Sequence, residues 1–159
     1  MYRPLPPLAA ILGAAGLLPF VVLGIASVGA NSGRAAVAAT LLVAYGAAIL
    51  SFLGGVHWGF TLGGDDEADP ATRHRLALGV VPPLLGWGAV ALAVVAYPFL
   101  GLGTLIFGFG LTVIVESRAH KRDWMPTGYM TMRWAISIAV VAILVTVFVL
   151  RMVGAHVLF

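Results

Sequence analysis

His57, Glu116, Arg118 and Arg133 are ionisable residues set in or against long apolar stretches of the chain. An imidazole and a carboxylate in apolar surroundings can exchange a proton, hold a polar ligand, or lock each other as a structural pair. An arginine there is a permanent cation and needs a counter-charge. Metal-assisted catalysis asks for more, because membrane enzymes that use it gather carboxylates or histidines around the ion. One intramembrane histidine and one glutamate at a helix end are too few, so no catalytic residue and no metal ligand is assigned. No two histidines share a helix at ligand spacing. A bis-histidine haem would need His57 with a partner such as His120, or a ligand from another subunit. The sequence names no cofactor.

The elements that must position these groups are five apolar stretches, about 8–28, 36–62, 76–96, 99–115 and 134–153. A bilayer core about 30 Å thick needs roughly 20 apolar residues in helical form. The chain is 61% hydrophobic and 9% charged, with a mean hydropathy of +1.05. Soluble domains carry about 25% charged residues, so lipid must be the solvent here. The runs are continuous rather than alternating, which selects helices over barrel strands. The expected fold class is all-α: one polytopic bundle of five transmembrane helices forming a single domain over residues 1–159. Cysteine is absent, which excludes disulfides and cysteine-ligated metals. The first run is too long for a cleaved signal, and Pro19 lies inside it.

Basic residues near span ends set orientation. With five spans, one face receives Arg3, Arg73, Arg75, Arg118, Lys121, Arg122 and Arg133, and the other only Arg34 and Arg151. This predicts the N-terminus inside and the C-terminus outside. The basic excess is explained by topology and anionic headgroups, so lipids are expected partners and nucleic acid is not. The tight link Tyr97–Pro98 suits an outer hairpin.

On the second span Ala47, Ser51, Gly55, Gly59 and Gly63 recur every four residues, a stripe that lets helix backbones approach closely. Thr104, Gly108 and Thr112 form a shorter stripe on the fourth span. Pairing of the two stripes within the chain is one reading; joining of separate chains is the other. His57 lies about 200° around the helix from Gly55 and shares its side with Gly46, Leu50 and Leu53. A histidine facing lipid is costly, so both sides of this helix are expected to be buried.

His57 lies about 9 Å from the end of its span at 1.5 Å per residue, near the depth of Pro82 and Pro83 on the third. Two prolines remove two helix hydrogen bonds and kink the backbone. The carbonyls of Leu78 and Gly79 then need donors, and His57 or Trp58 could supply them. Glu116 and Arg118 close the fourth span at this level, and the following loop carries His120, Trp124, Tyr129 and Arg133. Glu116 is expected to pair with Arg118 or Arg133. Trp124 and Tyr129 suit an aromatic belt. The acidic run Asp65, Asp66, Glu67 and Asp69 lacks the spacing of a calcium loop and suits a solvated turn, with Asp69 capping a helix that begins at Pro70.

The stretch from Tyr45 to Gly59, YGAAILSFLGGVHWG, together with Leu18-Pro19-Phe20 and the set Glu116, Arg118, Trp124, Pro126, Tyr129 and Arg133, resembles the transmembrane-protein-69-like family, a bacterial and mitochondrial domain of unknown function. The resemblance implies a small multi-span protein of an inner, energy-transducing membrane. It marks His57, Trp58, Glu116 and Arg133 as positions of interest without assigning roles or a reaction. The leading expectation is a non-catalytic subunit, scaffold or assembly factor of a larger complex in the bacterial inner membrane, with a membrane protein or a second copy as partner. The alternative is a carrier or binder of a quinone, haem or lipid, using the polar level around His57, Tyr129 and the Pro82-Pro83 break.

Overall fold

The computed structural model describes residues 6–29, 32–62, 70–95, 97–120 and 127–157. Six helices carry them: α1 Pro7–Ala15, α2 Leu18–Gly29, α3 Ser32–Leu62, α4 Pro70–Val95, α5 Pro98–His120 and α6 Thr127–Val157. Five segments are long and apolar enough to cross a bilayer: Pro7–Gly29, Gly33–Gly59, Leu76–Val95, Pro98–Arg118 and Met130–Gly154. The five expected spans and the all-helical class are therefore present. Large apolar side chains such as Ile25, Phe52, Trp87 and Val95 cover the outside, as lipid permits and water does not.

The first span is interrupted, which the sequence reading did not foresee. Pro19 has no N–H to offer the preceding turn and its ring crowds that turn. The helix closes at Ala15 and restarts at Leu18. The Tyr45 hydroxyl donates to the Gly16 carbonyl at the break, at 2.9 Å. The Tyr45 ring stacks edge-on with Phe20, and Phe20 with Phe109. A backbone defect is thus sealed by one phenol from α3.

Pro82 and Pro83 have the opposite outcome. Both sit inside α4, which continues past them to Val95. The helix accommodates them because α3 lies very close. A Cβ on Gly54 would overlap the Gly79 carbonyl and the Pro83 ring, and a Cβ on Gly79 would overlap Trp58. Two turns away, a Cβ on Gly86 would stand 2.9 Å from the Ala47 carbonyl oxygen. Small residues seven apart on each helix, Ala47 with Gly54 and Gly79 with Gly86, thus form an antiparallel seam. The Gly79 carbonyl, deprived of the Pro83 donor, lies against the Cα of Gly54. The expected donor is near but differently aimed: Trp58 Nε1 donates to the Leu76 carbonyl at 3.0 Å.

The stripe of every fourth residue needs correction. Ser51, Gly55 and Gly59 are exposed, and among the described residues no neighbouring atom lies within 4 Å of a Cβ built on Gly55 or Gly59. Gly63 lies outside the described residues. Only Ala47 of that stripe is in the α3–α4 seam. Gly108 of α5 packs instead against Leu50 and Leu85, so the two stripes do not meet. One side of α3 faces outward, contrary to the expectation that both are buried. Small apolar residues face lipid without penalty, so the four-residue spacing alone does not select the packed side. The side shared by Gly46, Leu50, Leu53 and His57 is buried as expected, and it adjoins a core of Phe20, Leu42, Leu102, Leu105, Phe109 and Leu144.

Gly54→Ala is expected to lower stability by about 1–3 kcal/mol through overpacking of the seam. Gly55→Ala should change it by less than about 0.5 kcal/mol. Thermal unfolding of the two variants in one detergent distinguishes the packed face from the open one.

A candidate polar site between three helices

Glu116 stands four residues from the end of α5 and Arg133 in the second turn of α6, so a short link brings them to one end of the bundle. His57 lies near the end of α3 at the same level. All three are buried, Glu116 completely. Arg133 Nε donates to Glu116 Oε2 at 2.8 Å, and its Nη1 donates to the hydroxyl of Ser137, one turn along α6. His57 Nε2 stands 3.5 Å from the other carboxylate oxygen, Oε1. Thr112, one turn before Glu116, is buried too, and returns its hydroxyl proton to the Gly108 carbonyl.

The pairing follows from dielectric cost. A lone carboxylate or guanidinium inside an apolar bundle is expensive, and the two together are tolerable only with short, directed hydrogen bonds. Arg133 meets that demand with Nε on the carboxylate and Nη1 on Ser137. The pair is formally neutral. His57 completes a line of groups from α3 through α5 to α6, able to hold or exchange a proton locally. Toward the opposite end the core is aliphatic and aromatic. The charge at that end is the half-buried Arg151, whose Nη1 donates to the carbonyls of Ser27 at 2.7 Å and Ala35 at 3.2 Å. Arg151 thus ties α6 to the end of α2 and the start of α3.

Of the residues singled out by sequence, His57, Glu116 and Arg133 come together. Arg118 is exposed and takes no part. Of the two partners expected for Glu116, Arg133 is the one in place. Trp58 serves the α3–α4 seam, away from the carboxylate. Tyr129 belongs to α6, but its side chain, like Trp124, Asp65 and Asp69, lies outside the described residues. Pro82 and Pro83 line the seam, not the ionic site. Sequence reasoning missed Ser137, Tyr45 and Arg151. Ser137 had a signal: four residues after Arg133, it shares that helix face. Tyr45 had only its place in the YGAAILSFLGGVHWG stretch, and Arg151 only its being a charge in the last turns of a span.

A family model described as a protein of unknown function, DUF3429, matches residues 5–149. The chain belongs to this family. Transmembrane protein 69 of Xenopus tropicalis is 44% identical over 87 residues, 54% of this chain and 33% of that protein. Transmembrane protein 69 of Mus musculus is 33% identical over 123 residues, 75% of this chain and 48% of that protein. The chain therefore spans between a third and a half of the curated relatives it matches. No solved structure matches it. The family resemblance read from the sequence is confirmed, and with it a multi-pass membrane protein.

Glu116→Gln is expected to destabilise by about 3–5 kcal/mol, because Arg133 is left as a buried cation without a counter-charge. Combining it with Arg133→Gln should restore much of that loss. Melting temperatures of the single and double variants measure the coupling, and additive losses would show that the two side chains act separately.

Proposed function

We propose that this protein is a non-catalytic membrane subunit, scaffold or assembly factor of a larger complex in the bacterial inner membrane, an energy-transducing membrane. The observation that carries the reading is the outward face of α3. Ser51, Gly55 and Gly59 leave a shallow strip flanked by the exposed rings of Phe52 and Trp58, on a helix whose opposite side is packed. Lipid-facing helix positions gain nothing from being small, whereas a second transmembrane helix gains close backbone contact there. The occupant is taken to be a helix of a partner membrane protein. Glu116 and Arg133 form an ion pair inside the bundle, in keeping with a structural rather than a catalytic use.

The proposed orientation is N-terminus inside and C-terminus outside. Support comes from the distribution of basic residues, seven toward one face and two toward the other. The buried ionic site then lies toward the cytoplasmic side. Because the chain has no cysteine, single cysteines report sidedness directly. An impermeant maleimide added to intact cells should label Tyr97→Cys and spare Ala119→Cys, and the reverse pattern would invert the topology.

Purification at native abundance in a mild detergent is expected to bring down discrete membrane protein partners. Gly55→Leu with Gly59→Leu should release them while leaving the melting temperature of the isolated chain unchanged. Migration of the wild-type chain at its monomer mass under those conditions would defeat the subunit reading.

A further inference from the structure

An open groove of about 500 Å³ runs between α2 and α6. Its floor is a close approach of the two helices, where a Cβ on the buried Gly24 would stand 3.3 Å from a methyl carbon of Ile143 and of Val147. Ile25, Val28 and Leu150, all exposed, form its rims. The wall is apolar except for Thr146, whose hydroxyl donates to the Ala142 carbonyl at 2.8 Å and asks nothing of an occupant. The groove spans residues 21–29 of α2 and 142–150 of α6, about 12 Å at 1.5 Å per residue. That is close to the depth of one leaflet, half of a hydrocarbon core roughly 30 Å thick.

One end of the groove reaches a cation. Arg151 follows Leu150, and its Nη1 holds the carbonyl of Ser27, the residue before the Val28–Gly29 end of the groove. Its Nε is buried with no partner. Its Nη2 makes no hydrogen bond among the described residues, and it is not sealed off as Nε is. Carbonyl dipoles leave the guanidinium charged, and a permanent cation set among apolar spans needs a counter-charge. The acidic side chains of the chain belong to its other end. Asp65, Asp66, Glu67 and Asp69 fall between α3 and α4, Glu116 in the last turns of α5, and Asp123 between α5 and α6. The end that holds Arg151 adds instead a second cation, Arg34, exposed in the first turn of α3.

The geometry points to a binding site for one phospholipid of net negative charge, its phosphate at Arg151 and one acyl chain in the groove. Charge complementarity selects this occupant, since basic groups at a membrane surface attract anionic headgroups. A neutral glycerolipid would fill the groove and leave Arg151 without a counter-charge. A zwitterionic headgroup would bring an ammonium to an end with no carboxylate side chain among the described residues. The site depends neither on the subunit reading nor on the orientation of the chain. The groove is separate from the Ser51–Gly59 strip of α3, and phospholipid covers both faces of a bilayer.

The test is native mass spectrometry of the full chain, released from phosphatidylcholine nanodiscs doped with equal amounts of dioleoylphosphatidylglycerol, dioleoylphosphatidylethanolamine and dioleoylglycerol. One equivalent of the phosphatidylglycerol is expected to stay bound in preference to the other lipids. Arg151→Gln and Arg34→Gln should each lower its retention roughly fivefold, the effect of one surface cation on an anionic headgroup. Ala142→Phe fills the groove from an exposed position and leaves both arginines in place; it should lower retention at least as much. Arg151→Gln also cuts the tie to Ser27 and Ala35, so Arg34→Gln and Ala142→Phe carry the test if that variant does not fold. Phosphatidylethanolamine or dioleoylglycerol held as firmly as phosphatidylglycerol would overturn the proposal. So would equal retention by wild type and folded variants, or a chain recovered with no lipid bound.

Discussion

Inside the hydrocarbon region there is no water to complete a hydrogen bond, so every polar group of the chain must find its partner in the protein or in what the protein binds. The described polar contacts follow from that constraint. Ser51, Thr104, Thr112, Ser117 and Thr146 return their hydroxyl protons to carbonyls one turn back. Tyr45 covers the carbonyl exposed by the Pro19 break, Trp58 a carbonyl above the double proline, and Arg151 two carbonyls at the meeting of α2 and α3. Glu116 Oε2 accepts from Arg133 Nε. Among the described residues the matching is incomplete at three buried side-chain atoms, Glu116 Oε1, Arg133 Nη2 and Arg151 Nε.

Close packing is the second consequence. With lipid outside, burying apolar surface brings little gain, and contact between backbones has to supply the cohesion. The α3–α4 seam does this with glycine and alanine spaced by seven residues. It also absorbs the double proline, since the carbonyl stripped of its donor fits only where Gly54 has no side chain. The prolines and glycines are one device read from two helices. A change on either side is felt on the other.

The ionic site and the seam lie on different sides of α3. His57 turns toward α5 and α6, while its neighbour Trp58 turns toward α4. This divides the Tyr45–Gly59 stretch into three working faces: Tyr45 on the first span, Ala47 and Gly54 on α4, and Leu50, Leu53 and His57 on the core. The remaining face, Ser51 with Gly55 and Gly59, is left to whatever lies outside the bundle. Three faces of this stretch are thus engaged within the bundle.

Sequence alone determined the number, length and class of the spans, because the cost of placing charge or unpaired backbone in lipid is large and local. It also determined that His57 points inward with Gly46, Leu50 and Leu53, since a helix fixes angles between its own residues. It could not decide which glycines are packed. Gly54 and Gly55 differ by one residue and about 100°, and only the position of α4 makes one crowded and the other open. Whether a proline breaks a helix was likewise a tertiary matter: Pro19 broke α1 from α2, while Pro82 and Pro83 were held within α4 by the closeness of α3. The choice of Arg133 over Arg118 for Glu116 depends on how α3, α5 and α6 converge. Those are relations between elements, and periodicity within an element carries no information about them.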